Sequence, residues 1–268
     1  MDNWKRKEIK DMKMIFMGRK KQAADLLKWT VEQGIEVVSV CTDNQFDNSP
    51  TAAMAKELNI PVISMEEAEE YVDSHPGKID LVTSYLYSRK IKKPLIEGPN
   101  YGCINFHPAI LPDWKGCGGY NIAILEKLPQ WGVTAHYVNE DIDTGKIIKV
   151  NKFDFDYTTA TAQSLEKISQ EKLVDLYKDI ILQVKEKGLL DTLDVDNSKG
   201  TYISRKQMNE MKEIKLENLT KEDLDLKIRA FWFPPYDGAY IEINGVKYTL
   251  VDKKILDSLI DSNTTALF

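Results

Sequence analysis

The N-terminal part of the chain alternates short apolar runs with amphipathic stretches, and this alternation limits the possible fold more than any other feature. Met14–Met17 form an apolar run that ends at Gly18, and apolar residues at helical spacing follow. Gly34 ends that stretch, and residues 35–40 are strongly β-prone. A strand, a helix and a second strand within roughly thirty residues make a βαβ unit, which requires a parallel sheet.

The alternation continues beyond this unit. The pattern predicts helices over residues 51–58 and 66–72, and strands over 61–63 and 79–84. We therefore predict an α/β fold with a doubly wound, Rossmann-like, mostly parallel sheet, in which ligands bind beyond the carboxyl ends of strands. Gly18 stands alone where a dinucleotide fingerprint needs three spaced glycines, so we expect no nicotinamide or flavin cofactor.

The second half of the chain changes character at about residue 200. Before it, the pattern predicts strands over 146–150 and 152–155, and a long amphipathic helix over 161–187. After it, the composition is more polar and charged. We expect a large domain over residues 1–199 and a smaller C-terminal lobe over residues 200–268.

The C-terminal lobe has a clear hairpin signal. A helix is predicted over 220–231, and two alternating runs then flank Asn244-Gly245, the dipeptide that favours a tight hairpin turn. An exposed hairpin edge can pair with a second copy of the same chain, and we expect a homodimer.

Composition restricts the classes of function. Hydrophobic residues are 43% and charged residues 29% of the chain, which suits a globular protein with a core. The net charge of -6 argues against a broad nucleic-acid-binding face. There is no apolar run of the roughly 18 residues that a membrane helix needs, and the charged segment 1–13 lacks a signal-peptide core. We expect a cytoplasmic protein with neither nucleic acid nor membrane as a partner. The three cysteines are far apart and indicate reduced thiols.

One stretch concentrates side chains that can do chemistry. Asn105 and His107 lie two residues apart, so an extended chain projects both from one face, and Pro108 then ends strand pairing. The amide can donate to a carbonyl oxygen that gains negative charge, and the imidazole can carry a proton near neutral pH. The acidic segment 139–145 either supplies a carboxylate that orients His107 or is only an Asp-rich β-turn.

The other histidines favour plainer roles. His75 precedes Pro76-Gly77 in a turn and is expected to face solvent. His136 lies in an alternating strand, where a hydrogen-bonded structural histidine is favoured over a direct chemical role. No pair of histidines has ligand spacing, so we expect no metal. The sequence also lacks a G-x-S-x-G elbow or a Cys–His signature, and this favours direct transfer between two bound substrates.

Several short motifs follow one another in the middle of the chain. They are N-x-H-P at 105–108, L-P at 111–112, a glycine-rich bend at 116–119, G-V-T at 132–134 and D-x-G at 143–145. Together they resemble the folate-dependent formyltransferase family, and the resemblance covers most of residues 12–190. It implies N10-formyltetrahydrofolate as the donor, an amine as the acceptor, and Asn105, His107 and Asp143 as the catalytic residues.

The resemblance also implies a role for each of these residues. Asn105 would donate to the formyl oxygen as it gains charge, and His107 would take a proton from the attacking nitrogen. Asp143 would fix the tautomer of the imidazole and raise its pKa by favouring its charged form. Two segments match family positions that line the pterin pocket, largely through backbone groups. The candidate residues there are Tyr85, Leu86, Tyr87, Val138 and Asp141.

The bend at 114–121 and the segment 227–239 resemble the sugar-nucleotide branch of the family. This implies a nucleotide-linked amino-deoxysugar as the acceptor, and dTDP-4-amino-4,6-dideoxyglucose is our specific expectation. Lys115 could reach the diphosphate, or it is simply a solvated loop lysine. One or two aromatic rings could stack on the nucleobase, or they pack in a core. The candidate rings are Phe231, Phe233 and Tyr236.

Two other functions remain as alternatives. Methionyl-tRNA formyltransferase belongs to the same family, although the short, slightly acidic tail is unlike a segment that grips tRNA. A catalytically silent folate- or nucleotide-binding protein comes from a different class, and the complete set of Asn105, His107 and Asp143 speaks against it.

Overall fold

The structure is a computed structural model that describes residues 12–42 and 49–258. Most of the charged segment 1–13, on which the expectation of no signal peptide rests, lies outside the described residues. The elements in the first part of the chain are β1 (Lys13–Gly18), α1 (Lys20–Glu32), β2 (Glu36–Cys41), α2 (Pro50–Glu57), α3 (Met65–Ser74), β3 (Leu81–Tyr85), α4 (Lys93–Glu97) and β4 (Cys103–His107).

The remaining elements complete the sheet and add helices and a hairpin. They are β5 (Lys115–Gly116), α5 (Gly119–Leu125), β6 (Gln130–Tyr137), β7 (Ile147–Asp154), α6 (Ala162–Lys187), β8 (Tyr202–Ile203), α7 (Arg205–Glu210), α8 (Lys221–Phe231), β9 (Tyr240–Ile243), β10 (Val246–Thr249) and α9 (Lys253–Ser258). Among the described helices, none combines the length and the hydrophobicity that a bilayer span requires.

Six strands form the central sheet in the order β2-β1-β3-β4-β6-β7. β1 pairs in parallel with β2 and β3, and β3 pairs in parallel with β4. β6 runs antiparallel to β4. The chain passes from β2 to the other side of β1 to reach β3, so the order reverses at β1, and such a reversal point is where open α/β sheets bind ligands. The predicted doubly wound, mostly parallel α/β fold is confirmed.

Local sequence signals explain several element boundaries. Ser64 caps α3 with a capping box: its hydroxyl accepts from the Glu67 N–H at 3.1 Å, and the Glu67 carboxylate accepts from the Ser64 N–H at 2.7 Å. This cap follows Val62 so closely that residues 61–63 form no strand, and Val62 makes only a single bridge to Val40. The two strands predicted over 146–155 are one continuous strand, β7.

The chain divides into two compact units. The first reaches up to Lys115 and adds Gly132–Lys152 and Gln170–Thr201. The second comprises Gly116–Trp131, Phe153–Ser169 and the part from Tyr202 onward. The five divisions fall inside β5, β6 and α6, near the end of β7, and just before β8. The boundary that we expect near residue 200 for separately folding domains stays a prediction.

An aromatic cluster lies at the centre of the first unit. Tyr177 of α6 is fully buried, and its hydroxyl lies 2.9 Å from the Thr30 hydroxyl of α1. Its ring centroid is 4.8 to 6.3 Å from those of four other aromatic rings, which belong to β1, α1, β3 and β4. The partners are Phe16, Trp29, Tyr85 and Phe106. This one side chain therefore joins α6 to α1 and to three strands.

The second unit is held together by helix packing and by hydrogen bonds from side chains to backbone carbonyls. The Asn121 amide of α5 donates to the Ala230 carbonyl of α8 at 2.6 Å. The Arg229 guanidinium, also on α8, donates to the Tyr157 and Ala160 carbonyls. β9 and β10 pair antiparallel around Asn244-Gly245, where both residues have positive φ, and this confirms the predicted hairpin.

We expect the substitution Tyr177→Ala to lower the free energy of unfolding by about 3–5 kcal/mol, because it empties the centre of the aromatic cluster. Tyr177→Phe keeps the ring and should cost only about 1 kcal/mol, since the Thr30 hydroxyl retains its bond to the Leu26 carbonyl. Urea unfolding of both variants measures these changes. A Tyr177→Ala protein as stable as Tyr177→Phe would contradict the central role of this ring.

Candidate active site

A row of polar side chains crosses three strands of the sheet. Ser84 of β3 is in register with Asn105 of β4, and Asn105 is in register with His136 of β6. Side chains in register on neighbouring strands project from the same face, so these three form one line across the sheet. Asn105 is half-buried and His136 is almost fully buried. His107 follows Asn105 on the same face, as the spacing of two predicts.

His136 holds the Asn105 amide in place. Its Nδ1 lies 2.8 Å from the Tyr137 carbonyl, which can only accept, so Nδ1 carries a proton. In the neutral ring Nε2 then accepts from the Asn105 Nδ2 at 3.0 Å. The same Nε2 lies 3.7 Å from the Asp143 Oδ1. We favoured a structural histidine at this position, and the structure places it between two of the predicted catalytic residues.

His107 is 7% exposed and meets an acceptor at each ring nitrogen. Its Nε2 donates to the Trp114 carbonyl at 3.1 Å, which fixes the proton of the neutral ring on Nε2. Its Nδ1 lies 3.5 Å from the Asp143 Oδ2. The free lone pair of the neutral ring is therefore on Nδ1, and a proton that arrives there lies next to a carboxylate.

Burial lowers the pKa of His107 below its ordinary value, and this is the largest effect on the ring. Asp143 and the Trp114 carbonyl act in the opposite direction, whereas His136 and Lys115 lower the pKa further. Asp143 thus acts on the His107 pKa in the direction that the resemblance implies, but burial outweighs the carboxylate and the pKa is lowered overall. The imidazole is consequently neutral near pH 7 and able to accept a proton.

Asp143 lies in a tight turn whose backbone is constrained. Its φ of 57° is in the left-handed region, and its carbonyl accepts from the Asn197 Nδ2 at 3.0 Å. Gly145 in the same turn packs so closely against the backbone of Tyr137 that a Cβ there would lie 1.7 Å from the Tyr137 carbonyl oxygen. The glycine of the D-x-G motif therefore allows a close backbone contact, and the aspartate supplies the carboxylate that faces the histidines.

A cavity of about 160 Å³ opens beside the row of polar side chains. Asn105, His136 and Asp143 are part of its lining, together with residues that follow β3 and β6. Of the five candidate cofactor residues, three line this cavity: Tyr87, Val138 and Asp141.

The other two candidates contribute differently. The Tyr85 ring is fully buried in the aromatic cluster, and its hydroxyl donates to the Gln170 side chain at 3.0 Å. Leu86 has a φ of 55°, and its carbonyl accepts from the Arg19 guanidinium at 2.7 Å. A binding role for either residue thus rests on its backbone.

The candidate acceptor-binding residues belong to both units. Lys115, in the first unit, is 3% exposed, and its ammonium donates to the Pro112 and Lys199 carbonyls. Burial lowers the pKa of this lysine. In the second unit Phe231 is 1% exposed, whereas Tyr236 is 68% exposed. The Phe233 and Tyr236 ring centroids lie 5.6 Å apart. The binding roles of these four residues stay predictions.

The geometry supports acid–base chemistry on an acyl group. An amide donor, a neutral imidazole and a carboxylate lie within one contact network, and two of them face the cavity. Within residues 12–42 and 49–258, no group of three or more His, Cys, Asp or Glu side chains is arranged to hold a metal ion.

Known proteins are similar to this chain in sequence and in fold. The family model described as formyl transferase matches residues 12–181. A methionyl-tRNA formyltransferase from Bacillus cytotoxicus is 28% identical over 202 residues, which are 71% of this chain. The chain spans 64% of the length of that relative.

Two solved structures have the same fold. A 4-N formyltransferase from Francisella tularensis superposes with a TM-score of 0.74 at 24% identity, covering 91% of this chain and 97% of its own. An N-formyltransferase from Helicobacter canadensis, in complex with folinic acid and dTDP-3-aminofucose, gives a TM-score of 0.68 at 24% identity, covering 88% and 86%. Since the family match covers more than half of the sequence, the chain belongs to the formyl transferase family.

Proposed function

We propose that this protein transfers a formyl group from N10-formyltetrahydrofolate to the amine of a nucleotide-linked amino-deoxysugar. One observation carries the proposal: a buried, neutral His107 contacts Asp143 at 3.5 Å, and Asn105 lies on the same sheet face at the edge of a cavity. This arrangement supplies a base for an attacking amine and a donor for the oxygen of an acyl group.

The residues around the cavity suit a pterin ring. Val138 and Ile91 offer apolar surface, and Ser84, Asn139 and Asp141 offer polar groups for the ring nitrogens and oxygen. A mostly apolar site with a few placed polar groups is typical of small-molecule recognition. The folinic acid in the Helicobacter canadensis enzyme, which shares the fold, supports a folate donor here.

Each of the three residues would have a separate task in the transfer. As the acceptor nitrogen bonds to the formyl carbon, His107 accepts the proton of that nitrogen at Nδ1, where Asp143 stabilises the imidazolium. Asn105 donates an N–H to the formyl oxygen, which gains negative charge, and a donor of this kind typically contributes a few kcal/mol to lowering the barrier. When the bond from carbon to N10 breaks, His107 returns the proton to N10.

Several observations support a sugar nucleotide as the acceptor. The net charge is -6, and acidic and basic residues nearly balance in the region after residue 200, so a basic face for tRNA is not evident from composition. The neighbouring structures include a 4-N formyltransferase and a complex with dTDP-3-aminofucose. We infer dTDP-4-amino-4,6-dideoxyglucose as the acceptor, with the exposed Tyr236 and its neighbour Phe233 as the stacking rings.

Methionyl-tRNA is the second candidate acceptor, and the 28% identity to a methionyl-tRNA formyltransferase favours it.

The proposal also includes a homodimer in the cytoplasm. Half-exposed apolar side chains on the hairpin, those of Ile243, Val246 and Tyr248, support pairing with a second copy.

The acceptor is tested by offering each candidate together with N10-formyltetrahydrofolate. We expect dTDP-4-amino-4,6-dideoxyglucose to gain one formyl group, detected by mass spectrometry, while methionyl-tRNA stays unmodified. A reaction without enzyme serves as the control. Formylation of methionyl-tRNA alone would replace the sugar proposal with the second candidate, and a failure to formylate either would contradict both.

His107→Asn should lower kcat at least about 100-fold, because the base is lost. The affinity for dTDP should change less than about twofold, since the substitution removes no proposed nucleotide contact. His75→Asn is the matched control: His75 is exposed, and its ring contacts Ser74 and Tyr71, away from the cavity lining. Normal turnover in His107→Asn would contradict the assignment of the base.

The pKa of the base can be measured without any substrate. In a ¹H–¹⁵N NMR titration of the ligand-free protein, His107 should titrate below about 6.5, because burial favours the neutral ring. The signals that disappear in His107→Asn identify the residue. The rate at neutral pH should accordingly be insensitive to this group and fall only as acid protonates it. A titration midpoint above 6.5 would show that the carboxylate outweighs burial.

A further inference from the structure

The two acceptors that contact His107 lie on loops with constrained backbones. Trp114, whose carbonyl accepts from Nε2, and Asp143, whose carboxylate faces Nδ1, each have a φ of 57°. A non-glycine residue rarely adopts this left-handed region and persists there only where the surroundings hold it. Other contacts must therefore fix both loops.

Asn197 fixes the loop of Asp143. Its side chain is 3% exposed, and its Nδ2 donates to the Asp143 carbonyl at 3.0 Å and to the Gly145 carbonyl at 2.6 Å. One amide nitrogen thus uses both of its hydrogens on acceptors two residues apart. Because the contacts are to the backbone, they set the position of the turn without engaging the Asp143 carboxylate.

Lys115 and the residues around Gly200 fix the loop of Trp114. The Lys115 ammonium donates to the Pro112 carbonyl at 2.6 Å and to the Lys199 carbonyl, and its backbone N–H donates to the Thr201 carbonyl at 2.9 Å. Gly200 approaches so closely that a Cβ there would lie 2.1 Å from the Pro112 oxygen. The ammonium and the backbone of Lys115 bind the same short segment.

From these contacts we propose that residues 197–201 form a strap that holds His107 between its two acceptors. Asn197 at one end secures the turn that carries Asp143, and Lys199 to Thr201 at the other end secure, through Lys115, the loop that carries Trp114. The strap residues that make these contacts do not touch His107 and do not line the cavity, and Asn197 reaches the lining only through the Asp143 backbone. They are therefore positioning residues. On this proposal the buried Lys115 ammonium positions the loop of Trp114, in place of the expected contact with the diphosphate of the acceptor.

The strap proposal depends on the proposed function only in experiments that measure turnover. In Lys115→Met and Asn197→Ala, kcat should fall about 10- to 100-fold while the KM values for folate and acceptor change less than about twofold, since the base is displaced and the substrate contacts remain. Ser198→Ala is the matched control within the strap: its hydroxyl bonds only to the Asp196 carboxylate and is exposed. It should keep normal kcat. An acceptor KM that rises more than kcat falls in Lys115→Met would overturn the strap and restore a diphosphate role.

A second measurement needs neither acceptor nor turnover. In Asn197→Ala, the NMR titration of His107 should move to lower pH than in the natural protein, because Asp143, which raises the His107 pKa, is less firmly held. An unchanged midpoint overturns the strap, whatever the acceptor proves to be. If Asn197→Ala does not fold, Asn197→Asp is used instead, because it keeps the size of the side chain but lacks the N–H donors. A folded Asn197→Asp protein with normal kcat would overturn the proposal.

Discussion

The site depends on a buried imidazole that has an acceptor at both nitrogens but, when neutral, only one proton to give. The Nε2–H group donates that proton in a hydrogen bond to the Trp114 carbonyl, so the lone pair of His107 on Nδ1 faces the Asp143 carboxylate. Burial favours this neutral state, and the carboxylate favours the state that follows proton uptake. The ring is thereby prepared to receive a proton without being charged beforehand, which is the property that a general base near neutral pH requires.

The sheet supplies the geometry that this chemistry needs. The cavity lies beside residues of β3, β4 and β6, and the antiparallel β6 brings His136 into register with Asn105. The amide is consequently oriented by a neighbouring strand, with the Tyr137 carbonyl fixing the tautomer of the histidine that holds it. The orientation of the proposed oxygen donor is thus built into strand pairing, the stiffest part of an α/β domain.

Most of the fold, but only part of the candidate site, could be predicted from the sequence. Alternating strand and helix patterns are local signals, and so is the spacing of Asn105 and His107, so both were predictable. The role of His136 depends on which residues of β4 and β6 face each other, and no local pattern encodes that register. The role of Asn197 could not be predicted for a similar reason, because its hydrogen-bond partners lie more than fifty positions away in a polar segment. The direction of the His107 pKa required knowledge of burial, which only the folded chain provides.

The close packing at Gly145 has a consequence for how this protein can vary. No atom of that residue takes part in the proposed chemistry, yet even the smallest side chain would collide with the backbone that ends β6. Substitutions at this position are therefore excluded by shape alone, before any effect on reactivity arises. A survey of all single replacements would mark Gly145 as no more tolerant than Asp143, two positions before it. Sequence variation by itself would not distinguish a residue that reacts from one that merely leaves space.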